Sequence, residues 1–240
     1  MTARTARVIA ALTGLLVVTA LPALAQRGRR YRSPEREGEF RIHLGSFRPE
    51  GDSGYWDGID RDFTNATPSD FEDANFGIDY LQPLGNRLSL MFSGSVYEGQ
   101  TTNSYRNFLD NFDNRIRHDT TLDIASATAG LVVHLTGSDA AIQPYLGAGG
   151  GAYFWRLEES GDFIGAGPTR PIFTADLRSE GTAFGYYWLA GLQAPLSRNL
   201  SIFAEGRWTR VDDELSDDFE DFGNLDLSGR EIAAGLSWRL

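Results

Sequence analysis

Between Glu39 and Leu240 the chain alternates apolar residues with small or polar ones in eight segments: 39–47, 73–82, 87–97, 121–135, 142–157, 181–196, 200–211 and 226–240. A period of two sends successive side chains to opposite faces of a strand. In 200–211 one face reads Leu200, Ile202, Ala204, Gly206, Trp208 and the other Ser201, Phe203, Glu205, Arg207, Thr209. The same split gives apolar sets Phe184, Tyr186, Trp188, Leu192 in 181–196 and Ile232, Leu236, Trp238 in 226–240. Most segments hold about ten residues or more, which suits tilted strands crossing a bilayer.

The connections after the second, fourth and sixth segments are short, at 83–86, 136–141 and around 197–199, whereas the others are long and polar. The pattern predicts an all-β fold, an eight-stranded antiparallel up-and-down transmembrane β-barrel with short periplasmic turns, long external loops and both termini in the periplasm. An echo between PLGNRLSLMF from Pro83 and PLSRNLSIFA from Pro195 marks two equivalent hairpins and supports the register. A soluble barrel would carry the alternation inside out. Here the polar face is built from glycine, alanine, serine and a few charges, not the long charged side chains of a soluble exterior. The apolar sets are therefore assigned to lipid.

Residues 1–25 read as a secretory leader: Arg4 and Arg7, an apolar run from Val8, Pro22, then Ala23-Leu24-Ala25 as the cleavage site. Residues 26–38 form a basic linker and 39–240 the barrel, about 215 residues after the leader, which is room for one β domain. Thirty-three acidic residues face 22 basic ones, all arginine, for a net charge of −11. That balance argues against a nucleic-acid partner. The absence of cysteine excludes disulfides, thiolate metal sites and a cysteine nucleophile.

PYLGAGGGAYFW from Pro144, SRNLSIFAEGRW from Ser197 and the terminal GREIAAGLSWRL make 39–240 resemble the OmpA, OmpX and OmpW group of small outer-membrane β-barrels. The resemblance implies residence in outer-membrane lipid and lipopolysaccharide after insertion by the barrel-assembly machinery, which reads alternating hydrophobics leading to a terminal aromatic residue. Ile232, Leu236 and Trp238 fit that signal, and Leu240 stands where the group usually ends in phenylalanine. The group shares a fold and not an activity.

Parity places Arg41, Asp79, Glu205, Arg207, Glu231 and Arg239 on the inward face, three of each sign. Unpaired buried charge costs several kcal/mol, so these residues are expected to form an ionic plug, with a gate or narrow ion path as the alternative. The glycine run 147–151 lacks the strand–turn–helix context of a phosphate loop and is read as room for inward aromatics. His43, His118 and His134 have no metal-ligand spacing. His134-Leu135-Thr136 faintly resembles the His-x-Ser element of lipid A deacylase barrels, but threonine replaces serine and the motif sits at a periplasmic turn; a buried or turn-proximal histidine is preferred.

The last external loop gathers Asp212, Asp213, Glu214, Asp217, Asp218, Glu220 and Asp221. A solvated acidic surface is expected, with weak divalent-cation binding as the second reading, since the order of a calcium loop is missing. Tyr55, Trp56, Ile59 and Phe63 in the first loop are expected to pack locally, with a partner surface as the alternative; the same holds for Phe108, Phe112 and Ile116, spaced as one face of a short helix. No catalytic residue and no cofactor are assigned. The expected function is a non-catalytic structural or surface-interaction role; the alternatives are a narrow passive channel and, third, an envelope enzyme acting on lipid A.

Overall fold

The computed structural model describes residues 37–110, 112–165 and 170–240, without side-chain detail at 220–222. The expected leader and residues 26–36 of the linker lie outside the described residues. Eight long strands form the wall: β1 Glu39–Pro49, β2 Asp73–Pro83, β3 Leu88–Leu109, β4 Arg115–His134, β5 Gln143–Ile164, β6 Ile172–Pro195, β7 Leu200–Arg210 and β8 Gly229–Arg239. Each pairs antiparallel with the next, and β8 returns to β1 with Glu39 opposite Arg239, so the ring closes and no edge is left at that level. The tight turns are fastened by Leu84 N to Leu88 O at 2.9 Å and Leu196 N to Leu200 O at 2.8 Å.

Outside, a band of apolar side chains is exposed, among them Leu44, Leu131, Leu146, Phe184, Tyr186, Trp188 and Ile232. Trp188 and Trp208 stack on adjacent strands with ring centroids 6.3 Å apart. In water such a band would be an aggregation surface; in hydrocarbon it is the expected outer wall. Inside, the alternate positions are buried, including Glu205, Arg207 and Glu231.

β3 to β6 run on for 20 to 24 residues each, further than the segments 87–97, 121–135, 142–157 and 181–196 predict. About ten residues cross the membrane, so roughly half of each strand stands beyond it as a protruding four-stranded sheet. Above the bilayer the outer face needs no apolar residues, so TTNS from Thr101 pairs with RHDT from Arg117 while both look like loop in the sequence. The short helix expected from Phe108, Phe112 and Ile116 is absent: Phe108 lies on β3, Ile116 is buried on β4, and Phe112 is exposed at the hairpin tip.

The connection from β1 to β2 carries one helix, α1, Gly54–Asp62. Asp57 in its first turn and Arg61 in its last suit the helix dipole, and Tyr55, Trp56 and Ile59 share one face. That face is buried, which removes the partner-surface alternative for these three residues. They pack with Phe71, Tyr97, Leu157, Phe219 and Leu225 into an apolar cluster over the barrel mouth. Phe71 arrives through a 3₁₀ turn, Pro68–Phe71, held by a Thr67/Asp70 capping box, and the Tyr97 hydroxyl donates to its carbonyl.

Candidate functional site

The barrel interior is polar at the turn end and apolar at the loop end. Nearest the turns, Glu39 accepts from Arg41 Nε at 3.0 Å, from Gln193 Nε2 at 2.8 Å and from the Ser237 hydroxyl. The Arg41 guanidinium also donates to Gln193 Oε1 at 2.7 Å and lies over the rings of Tyr145 and Phe203, 4.9 and 4.8 Å from their centroids. The Tyr145 hydroxyl then donates to Glu205 Oε2 at 3.0 Å.

One level higher, Arg207 reaches Glu205 at 3.1 Å, Ser93 Oγ at 3.1 Å and Asp79 at 3.7 Å. His43 stands between Asp79 and Glu231, with ring nitrogens 3.4 and 3.5 Å from their carboxylates. Five of the six residues expected on the inward face thus come together: Arg41, Asp79, Glu205, Arg207 and Glu231. Arg239 does not join them, because as the last strand residue it sits half-buried at the turn end of the barrel, and no ion pair of it is found among the described residues. The group also holds Glu39, His43 and Gln193, which sequence reasoning left out although Glu39 and His43 share the face of Arg41 at spacing two.

Small residues make this packing possible. A Cβ at Gly77 would collide with the His43 ring and one at Gly191 with the Tyr145 ring, while one at Gly149 would lie 2.7 Å from the Tyr187 hydroxyl. The polar layer meets the apolar one at a cavity of about 30 Å³, lined by Asn75, Tyr97, Tyr153, Arg207, Thr209 and Glu231 among others. Such a space holds a water molecule or two, with polar partners to receive it.

A second polar cluster lies in the protruding sheet. The Tyr55 hydroxyl on α1 donates to Glu159 Oε1 at 2.8 Å, and the other carboxylate oxygen is 3.8 Å from His118 Nε2. The His118 ring stacks on Phe163 with centroids 5.0 Å apart and meets the edge of Phe63 at 4.6 Å. Burial pushes the Glu159 carboxyl up to about 7, against a lowering by the Tyr55 bond, and pushes His118 down to about 4. The strand extension past Leu157 puts Glu159 here, which is why the sequence reading missed it.

His134 is buried at the turn end with Nε2 3.5 Å from Ser89 Oγ, while Thr136 turns its hydroxyl to the Ile142 carbonyl; the His-x-Thr pair is not formed. In the acidic loop, Asp212–Glu214 pairs with Asn224–Asp226 in a two-stranded ribbon. Asp213 accepts from Trp155 Nε1 at 2.7 Å and Asp218 from the Arg178 backbone N–H at 2.9 Å, so these two carboxylates tie the loop to β5 and β6. Asp212, Glu214 and Asp217 do not converge with them: among the described residues no three acidic or histidine side chains are grouped to hold a metal ion. The side chains of Glu220 and Asp221 lie outside the described residues.

No protein-family model matches the chain, and no curated protein matches it in sequence. Solved structures do match in shape. The outer membrane protein OprG of Pseudomonas aeruginosa superposes with a TM-score of 0.53 at 10% identity, over 86% of this chain and 97% of that one. A major outer membrane protein of Thermus thermophilus gives 0.48 at 9% identity, over 85% and 99%. The outer membrane protease OmpT of Escherichia coli gives 0.44 at 10%, over 89% and 99%. At such identities the likeness concerns the fold alone. Its closed ring, its apolar outer band and this likeness give the chain the fold of an eight-stranded outer-membrane β-barrel.

Proposed function

We propose that the protein is a non-catalytic outer-membrane barrel whose lumen is sealed, and that it serves a structural or surface-interaction role. The observation that carries this reading is the two-tier filling of the interior. Arg41, Tyr145 and Tyr187 are at most 1% exposed at the charged level, and Tyr55, Trp56, Phe71 and Phe219 at most 2% at the apolar level. An eight-stranded barrel is about wide enough for its own side chains, so two filled levels leave no continuous water path. The Ser89–His134 pair is buried at the turn end, which supports no attack on a lipid of the outer leaflet.

In this reading the turns and termini face the periplasm, the loops and the sheet extension face outward, and lipopolysaccharide surrounds the band. The outward Ile232, Leu236 and Trp238 of β8 are what the assembly machinery would engage. The surface role rests on the protruding sheet: β7 pairs with β6 only from Tyr186 onward, so the tip of β6 has an open edge with Ile172 and Phe173 exposed. An open edge is a template for a partner strand. Conductance in a planar bilayer tests the seal. No steady current is expected from the purified protein; a stable, reproducible open channel favours the passive-channel reading instead.

A further inference from the structure

Where β3 to β6 leave the apolar band and continue as the protruding sheet, the outer wall is concave and forms a groove of about 850 Å³. That is within the range of sites that hold a whole small ligand. Strand register gives the groove two tiers. Phe76, Val96, Ala125 and Phe154 lie side by side on successive strands, with Leu44 next to Phe76, as a floor continuous with the lipid-facing band. Two residues further along β3, β4 and β5, Glu98, Asp123 and Arg156 form a charged row in register, which Glu180 on β6 extends.

The rim is acidic on balance. Asp73, Glu98, Asp123 and Glu180 line the groove against the single guanidinium of Arg156. Arg156 is already shared among Asp123 at 3.8 Å, Glu158 at 3.7 Å and Glu180 at 3.5 Å. Among the described residues no cation lies within ion-pair distance of Glu98 or Asp73. These carboxylates stand beside a low-dielectric surface, where their field on a headgroup is stronger than in bulk water. An anionic headgroup at this level would meet repulsion, and a neutral one would gain nothing beyond the floor.

We infer that the groove binds a membrane-borne amphiphile with a cationic headgroup, the chain lying on Phe76, Val96 and Phe154 and the cation held at Glu98 and Asp73. The site requires that the apolar band face lipid. It does not require a sealed lumen, so its failure and that of the proposed function are separate.

The test uses the whole protein in phosphatidylcholine bilayers with two spin-labelled C18 amphiphiles of the same chain, one ending in trimethylammonium and one in sulfate. The motionally restricted fraction of each is read by electron paramagnetic resonance. The ammonium probe should be enriched about three- to fivefold over the sulfate, the ratio expected of one or two solvent-screened charge contacts. The double variant Glu98→Gln/Asp73→Asn should remove the preference. Val96→Trp, which fills the floor from the lipid side, should reduce the restricted fraction of the ammonium probe while the barrel stays folded by circular dichroism. Equal association of the two probes, or a preference for sulfate, overturns the inference. So does an ammonium preference that survives Val96→Trp, since it would belong to the acidic surface at large and not to the groove.

Discussion

The guanidinium of Arg41 on β1 and the side-chain amide of Gln193 on β6 meet at 2.7 Å, although 152 positions separate them. The two strands are not neighbours in the ring, so this bond braces the barrel across its interior. Both side chains are also bonded to Glu39, which makes the brace a triangle in which each charge-bearing group has a partner. Buried polar groups are stable only when satisfied in this way, and losing one corner exposes the others to the full cost of burial.

The same logic applies one level up, at Arg207. It is buried and serves both Glu205 and Asp79. Arg207→Ala should lower unfolding stability by about 3–5 kcal/mol, as expected when one member of a buried ion group is removed. Replacing Glu205 and Arg207 together by leucine should cost less than the single change. Urea titration of the double variant and of the single variants Glu205→Leu and Arg207→Leu closes the cycle; additive costs would mean the pair does not interact.

Two tiers imply that neither alone governs permeation. Shortening Arg41 and Arg207 to alanine should leave the bilayer silent, because the apolar cluster under α1 remains. Trp56→Ala with Phe71→Ala should also leave it silent, because the charged level remains. Only the fourfold variant should conduct. Current from either pair alone would show that the other tier is not a seal. Arg239, half-buried at the turn end and outside the charged group, should be replaceable without effect on conductance.

The Tyr55–Glu159–His118 cluster predicts an unusual pH profile for the cap. Glu159, raised from 4.5 to about 7, keeps its proton in the folded protein where the unfolded chain has lost it, so its contribution to stability falls as pH rises from 4.5 to 7. His118, lowered from 6.5 to about 4, stays neutral where the unfolded chain binds a proton, so its contribution rises from pH 4 to 6.5. The two slopes oppose each other, and the parent cap should change little over this window. Hydrogen exchange of the α1 amides should show protection growing with pH in Glu159→Gln and declining with pH in His118→Phe. Flat profiles in both variants would remove the cluster from the account.

The absence of cysteine allows topology to be read by single-cysteine labelling without background. With an impermeant maleimide on intact cells, cysteines at Asp57, Phe112 and Asp218, all exposed at the loop end, should react. Those at Asn86, Asp139 and Asn199 should react only after lysis. Trp56 is a poor reporter despite lying in the first loop, because it is buried under the cap and bonded through Nε1 to the Asp226 carbonyl. Labelling of the short turns from outside would reverse the orientation.

Alternation by itself determined the eight strands and which face of each meets lipid, because a period of two is written locally in residues such as Leu200, Ile202 and Trp208 against Ser201, Glu205 and Arg207. It also placed five interacting charges on the inward side. Which of them touch was decided only by closure of the ring: the stagger of the strands brings Gln193 to Arg41 and His43 between Asp79 and Glu231, and no linear spacing encodes that. The height of the wall was likewise a tertiary outcome. Once outside the bilayer, strands need no apolar outer face, so Thr101 to Tyr105 read as loop and fold as sheet. The cap followed the same rule, since Tyr55, Trp56 and Ile59 become core only because the open barrel mouth offers them Phe71, Leu157 and Phe219 to pack against.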